Sequence, residues 1–162
     1  MRAPKIYLET TMFNYYFDEN RDAHADTVTL FEECAAGKFE PYTSDYVLEE
    51  LDAAPQPKRE HMLGLITKYH ITVLSYSEEA NELADKYIAE GALPPNSVED
   101  ARHIDLAAVA GLDIVVSLNF SHIVRAKTIR FTEAINRIRG YNTVDIDSPM
   151  GVIDSEKSRY YR

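Results

Sequence analysis

Asp100-Ala101-Arg102-His103-Ile104 opens an apolar helical run that closes at Gly111, and Asp113-Ile114-Val115-Val116-Ser117-Leu118-Asn119 follows at once. That succession decides the fold. A helix stopped by glycine and followed by a β-branched run predicts a buried parallel strand. Asp100 stands in the first turn of the helix, and Asn119 lies just past the strand. In an open parallel sheet, groups at the carboxyl ends of strands and at the starts of adjoining helices converge on one edge.

The same arrangement recurs twice upstream. Ile6-Tyr7-Leu8 runs into Glu9, and Ser44-Asp45-Tyr46-Val47-Leu48 leads to Glu49-Glu50. Carboxylates brought together repel unless a cation sits among them, and hard oxygen ligands suit Mg²⁺ or Mn²⁺. The chain reads as built to hold a divalent ion.

The rest of the chain alternates strand and helix. Hydrophobic patterning predicts strands over residues 5–8, 39–43, 71–74, 113–117 and 143–146. Helices are predicted over 27–34, around Glu50, and over 59–68, 78–90, 97–110 and 127–138. Such interleaving implies right-handed crossovers and a parallel α/β sheet covered on both faces. The residues after Pro149 show no periodicity, so 1–148 reads as the domain and 149–162 as a C-terminal tail.

Composition narrows the class. A chain of 162 residues supports one domain with a real core, and 45% apolar with 27% charged residues is ordinary for a globule. No apolar run approaches the roughly 18 residues of a membrane span, and the N-terminus carries no signal-peptide core. The single cysteine, Cys34, excludes an internal disulfide framework and fits a reducing cytoplasm. A net charge of −10 argues against a general nucleic-acid binder. Its distribution is uneven: residues 1–120 balance at −13 and residues 121–162 at +3. Arg125, Lys127, Arg130, Arg137 and Arg139 cluster directly after Asn119 with only Glu133 opposing, which is either a solvated helix face or a surface for phosphates.

These residues, in this order, resemble the PIN-domain family. Its members are small metal-dependent ribonucleases, including the toxins of many prokaryotic toxin–antitoxin pairs. The resemblance runs from Ile6-Tyr7-Leu8-Glu9-Thr10-Thr11 to the strand near Val144, and is most specific at 100–104 and 115–123. It implies a three-layer α/β/α sandwich on a central five-stranded parallel sheet, with the acids in a cleft at one edge. It further implies Glu9, Glu50, Asp100 and Asn119 as catalytic and metal-binding residues for Mg²⁺ or Mn²⁺. Glu9 stands where the family usually has aspartate, and Asn119 replaces a common aspartate, bringing an amide oxygen without charge. Thr10 or Thr11, and Ser117, could hydrogen-bond these acids, while Arg125 or Lys127 could neutralise substrate phosphate.

Several positions have structural alternatives. Glu49 and Glu50 point to different faces of one helix, and only the family register favours Glu50. Ser97-Val98-Glu99-Asp100 resembles a capping box, which alone would account for an acid at Asp100. Asp105 lies about 140° around the helix from Asp100 and falls outside the site. His103 and His122 form no zinc spacing and read as hydrogen-bonded scaffold. The expected function is a metal-dependent endoribonuclease with RNA as substrate and an antitoxin as possible partner; the alternative is a non-catalytic module with a degenerate metal site. Eleven tyrosines, among them Tyr15, Tyr16, Tyr160 and Tyr161, suggest a homodimer.

Overall fold

In the computed structural model, which describes residues 2–153, the apolar runs become β1 (Lys5–Leu8), β2 (Glu40–Ser44), β3 (Thr72–Leu74), β4 (Ile114–Val116) and β5 (Asp145–Asp147). All are parallel, in the order β3-β2-β1-β4-β5. Between and after them lie α1 (Thr10–Phe17), α2 (His24–Ala35), α3 (Asp45–Asp52), α4 (Lys58–Lys68), α5 (Glu78–Ala89), α6 (Val98–Val109), α7 (Ala126–Ile138) and α8 (Pro149–Val152). Helix–helix packing falls into two groups, α1–α4 with α8 and α5–α7, as a sheet covered on both faces requires. The result is the expected three-layer α/β/α sandwich of PIN type.

The two central strands are buried on both faces, which is why their sequences are apolar without alternation. Ile6, Tyr7, Leu8, Ile114, Val115 and Val116 are all essentially inaccessible. The chain first moves outward from β1 to β2 and β3, then crosses back to add β4 and β5 on the other side. The direction of winding therefore reverses between β1 and β4. In open α/β sheets this switch point leaves a crevice at the carboxyl ends of the two strands.

Two helices were not expected, α1 and the short α8. Thr10-Thr11-Met12-Phe13-Asn14-Tyr15-Tyr16-Phe17 is β-branched and aromatic, a composition that favours strand. Packing overrides propensity: Met12 and Phe13 are buried, and the Tyr16 ring meets Phe31 and Tyr69 edge-on at 5.0 and 5.9 Å. Residues 149–153 also fold onto the domain, with α8 against α2 and Val152 and Ile153 buried. Tyr160 and Tyr161 lie outside the described residues. Among the described residues no helix is long and apolar enough to cross a membrane.

Asp105, midway along α6, is completely buried, and neither carboxylate oxygen has a hydrogen-bond partner among the described residues. Burial, aided by the charge of Asp85 and only partly offset by Arg102, pushes its carboxyl from 3.8 up to about 9. Between those values the folded chain holds a proton that the unfolded chain has released. Stability therefore falls as pH rises through that window. Asp105→Asn keeps the shape without the titration. Its melting temperature should match wild type near pH 4 and exceed it increasingly towards pH 9. Parallel thermal melts across that range check this, and a constant difference at all pH values would refute it.

Candidate active site at the carboxyl edge of the sheet

Glu9 follows β1 directly, and its backbone N–H extends the ladder to the Val116 carbonyl at 3.1 Å. Its side chain is 4% exposed, and Oε1 accepts from Ser117 Oγ at 2.6 Å and from Thr11 Oγ1 at 2.5 Å. Ser117 is the first residue past β4, so the ends of both central strands are joined through this carboxylate. Thr11 Oγ1 also accepts from the Leu118 backbone N–H at 2.8 Å.

Glu50 comes from α3, whose start is fixed by Ser44 Oγ accepting from Val47 N at 3.3 Å. Glu50 Oε1 accepts from Thr10 Oγ1 at 3.0 Å and from His103 Nε2 at 2.8 Å. Glu49 is exposed and makes no such contact among the described residues. Burial alone would raise the Glu50 carboxyl. The hydrogen bond and charge of His103, with the Thr10 hydroxyl, outweigh it and hold the group below its usual value.

His103 is the centre of the arrangement. It is 2% exposed and held from behind, where Nδ1 lies 2.7 Å from the Tyr7 hydroxyl, itself 2.7 Å from Ser44 Oγ. Burial acts to lower its basicity, but the Glu50 hydrogen bond and the charges of Glu9, Glu50 and Asp100 win, so the imidazole is more basic than usual. Three acids from three different elements thus act on one buried ring. Tyr7 is a contribution that the sequence concealed; His103, read from sequence as hydrogen-bonded scaffold, has that role and stands three residues after Asp100 on the same face of the helix.

Asp100 opens α6, yet the capping box does not form. Ser97 makes no side-chain cap hydrogen bond, and its Oγ lies 3.4 Å from His122 Nδ1 instead. The Asp100 carboxylate turns to the site: Oδ2 is 2.9 Å from His122 Nδ1, and Oδ1 accepts from Asn119 Nδ2 at 3.2 Å. The Asn119 Oδ1 accepts the His122 backbone N–H at 3.0 Å, and its own N–H donates to Ser117 Oγ at 3.0 Å. Hydrogen bonds therefore connect Asp100 through Asn119 and Ser117 to Glu9.

Three carboxylates and an amide oxygen make a hard donor set whose chemistry suits Mg²⁺ or Mn²⁺. Among the described residues, no three Asp, Glu, His or Cys side chains already stand together as a metal-holding group. Protein donors occupy the acids instead, and for Glu9 and Glu50 they fall on Oε1. Arg125 donates to the Ser121 carbonyl at 3.3 Å, and Lys127 lies 5.7 Å from the Phe131 ring centre. Neither touches the acids.

No family model matches the chain, and no curated protein matches it. Solved structures do. VapC20 of Mycobacterium tuberculosis, a sarcin–ricin loop cleaving toxin, is 14% identical over 86% of this chain and 98% of its own, with a TM-score of 0.57. VapBC2 from Rickettsia felis, bound to a DNA fragment from its promoter, gives 0.55 at 14% identity over 89% and 98%. DNA-bound VapBC from Salmonella typhimurium gives 0.53 at 16% over 91% and 99%. At these identities the likeness is one of fold. The protein has the PIN-type fold of the VapC toxins.

Tyr7→Phe removes a buried hydroxyl that satisfies both Ser44 and His103 while keeping the ring. It should cost about 1–3 kcal/mol. Chemical denaturation measures this directly, and an unchanged midpoint would show that the hydroxyl does not support the imidazole.

Proposed function

We propose that the protein is a metal-dependent endoribonuclease, the toxin of a toxin–antitoxin pair. One observation supports the reading: Glu9, Glu50 and Asp100 stand at the switch point of a PIN-type sheet, Glu50 bonded to His103 and Asp100 linked through Asn119 and Ser117 to Glu9. Glu9, Glu50 and Asp100 would hold a Mg²⁺ or Mn²⁺ ion, with Asn119 as the uncharged corner. Such an ion, when bound, acidifies water and polarises a scissile phosphate. The protein's own part is positional. Ser117 and Thr11 orient Glu9, Thr10 and His103 orient Glu50, and Asn119 with His122 orients Asp100. Arg125 and Lys127, in the basic stretch after Asn119, are the residues proposed to meet the phosphates.

The description of VapC20 as a sarcin–ricin loop cleaving toxin supports an RNA loop as the class of substrate. The VapBC structures support an antitoxin as partner. The homodimer loses part of its basis. Tyr15 is packed against the core with Arg21 over its ring at 5.2 Å, and the Tyr16 hydroxyl lies 2.6 Å from that of Tyr69. Both are committed within the chain.

A second reading, a non-catalytic module, is favoured by one feature: each acid is already satisfied by protein donors rather than gathered around a vacant point. It differs in expecting no saturable binding of a divalent ion.

Purified protein should cut single-stranded or looped RNA with Mg²⁺ or Mn²⁺, and EDTA should stop it. Asp100→Asn retains the size and hydrogen-bonding capacity of the side chain while removing its charge. Cleavage should fall by on the order of 10²-fold or more, as when one key electrostatic contact is lost, with little change in melting temperature. Cleavage at the wild-type rate would remove Asp100 from the site.

A further inference from the structure

Among the described residues few large apolar side chains are exposed; Phe120, 58% exposed, precedes the basic segment, and Phe131, 42%, and Ile138, 83%, lie within it. Phe120 immediately follows Asn119, whose side chain holds Asp100. The turn that carries it is well braced. The Asn119 carbonyl accepts the backbone N–H groups of Ile123 and Val124 at 3.1 and 2.8 Å, and the Phe120 N–H donates to the Leu118 carbonyl at 3.1 Å. Thr128 Oγ1, in the first turn of α7, donates to the His122 carbonyl at 2.6 Å and ties the helix to the same turn. An exposed ring by itself is ordinary for a protein surface; what sets Phe120 apart is its fixed turn next to Asn119 and Asp100 and the cationic helix that follows.

The buried side of α7 is Thr128, Thr132, Ile135 and Asn136. Its outer side presents Lys127, Arg130 and Phe131, all exposed, with the Lys127 ammonium 5.7 Å from the Phe131 ring centre. Arg130 makes no ion pair among the described residues, while Arg137 is paired with Glu133 at 2.9 Å. Within a chain of net charge −10, this face is locally cationic. A second copy docking face to face would set these cations against their own counterparts. A polyanion with flat rings satisfies both the charges and the aromatics.

We propose that Phe120 is a stacking platform for the unpaired base beside the scissile bond, with the adjoining phosphates running over Lys127 and Arg130. This rests on the nuclease reading for the position of the bond, and it adds a selection rule. A base must be free of its helix to lie on Phe120, so the protein takes single-stranded or splayed nucleic acid with little regard for base identity.

The test measures binding apart from cleavage. Fluorescence anisotropy of a labelled twelve-nucleotide oligouridylate is followed in EDTA at low salt, with full-length wild type, Phe120→Ala, Phe120→Leu and Lys127→Ala/Arg130→Ala. Phe120 is exposed, and thermal melts confirm that each variant is folded. Phe120→Ala should raise Kd about tenfold, Phe120→Leu nearly as much, and neither should alter the weaker binding of an abasic strand or a duplex. The double variant should weaken all three ligands and flatten the salt dependence. Equal binding of the oligonucleotide by wild type and Phe120→Ala overturns the proposal. So does an equal loss on the abasic strand, or light scattering in which wild type is a dimer and Phe120→Ala a monomer. If base-dependent binding holds while no RNA is cut with Mg²⁺ or Mn²⁺, the nuclease reading fails and the stacking site stands.

Discussion

The hydrogen bond from His103 to Glu50 is the interaction around which this edge of the protein is organised. Glu9, Glu50 and Asp100 arrive from β1, α3 and α6, and their like charges oppose one another. A basic, buried imidazole among them offsets that repulsion inside the protein. The ring can serve only because its far nitrogen is satisfied by Tyr7, which is in turn held by Ser44. A line of polar contacts thus crosses from the central strand through the α3 cap to α6. The sheet supplies the position, the imidazole donates to Glu50, and the tyrosine fixes the ring.

The other half of the site follows a different solution. Asp100 is held by a half-buried histidine, His122, and by the amide of Asn119. A carboxylate at position 119 would face Asp100 with a second negative charge, whereas asparagine faces it with a donor. The departure at 119 therefore exchanges charge for a neutral brace, and the same residue fixes the turn that displays Phe120.

Much of the architecture was legible because burial leaves a direct mark on sequence. Strands covered on both faces, such as 114–116, must be continuously apolar, and the glycine that ends α6 adopts a φ of +71° that other residues avoid. The strand ends and helix starts then pointed to Glu9, Asp100 and Asn119 on one edge, while the choice of Glu50 over Glu49 came only from the family resemblance. Three features were illegible for physical reasons. Helix α1 was hidden because its aromatic residues earn their place by packing rather than by helix propensity. The capping reading of Asp100 was locally sound, and only the distant His122 and Asn119 decide against it. Tyr7 looked like one more apolar strand residue, since nothing in its neighbours reveals that its hydroxyl meets a ring 96 positions away.

The central proposal is that Glu9, Glu50 and Asp100, at the carboxyl edge of the sheet, hold a divalent ion. Titration with Mn²⁺, followed by the proton NMR signals of the histidine rings, tests it most directly, because the bound ion's unpaired electrons broaden nearby nuclei. The account predicts saturable broadening of His103 and His122 first, with His24, His61 and His70 unaffected at the same concentrations, and loss of the effect in Glu50→Ala. Uniform broadening of all five rings, or none at millimolar Mn²⁺, would contradict it.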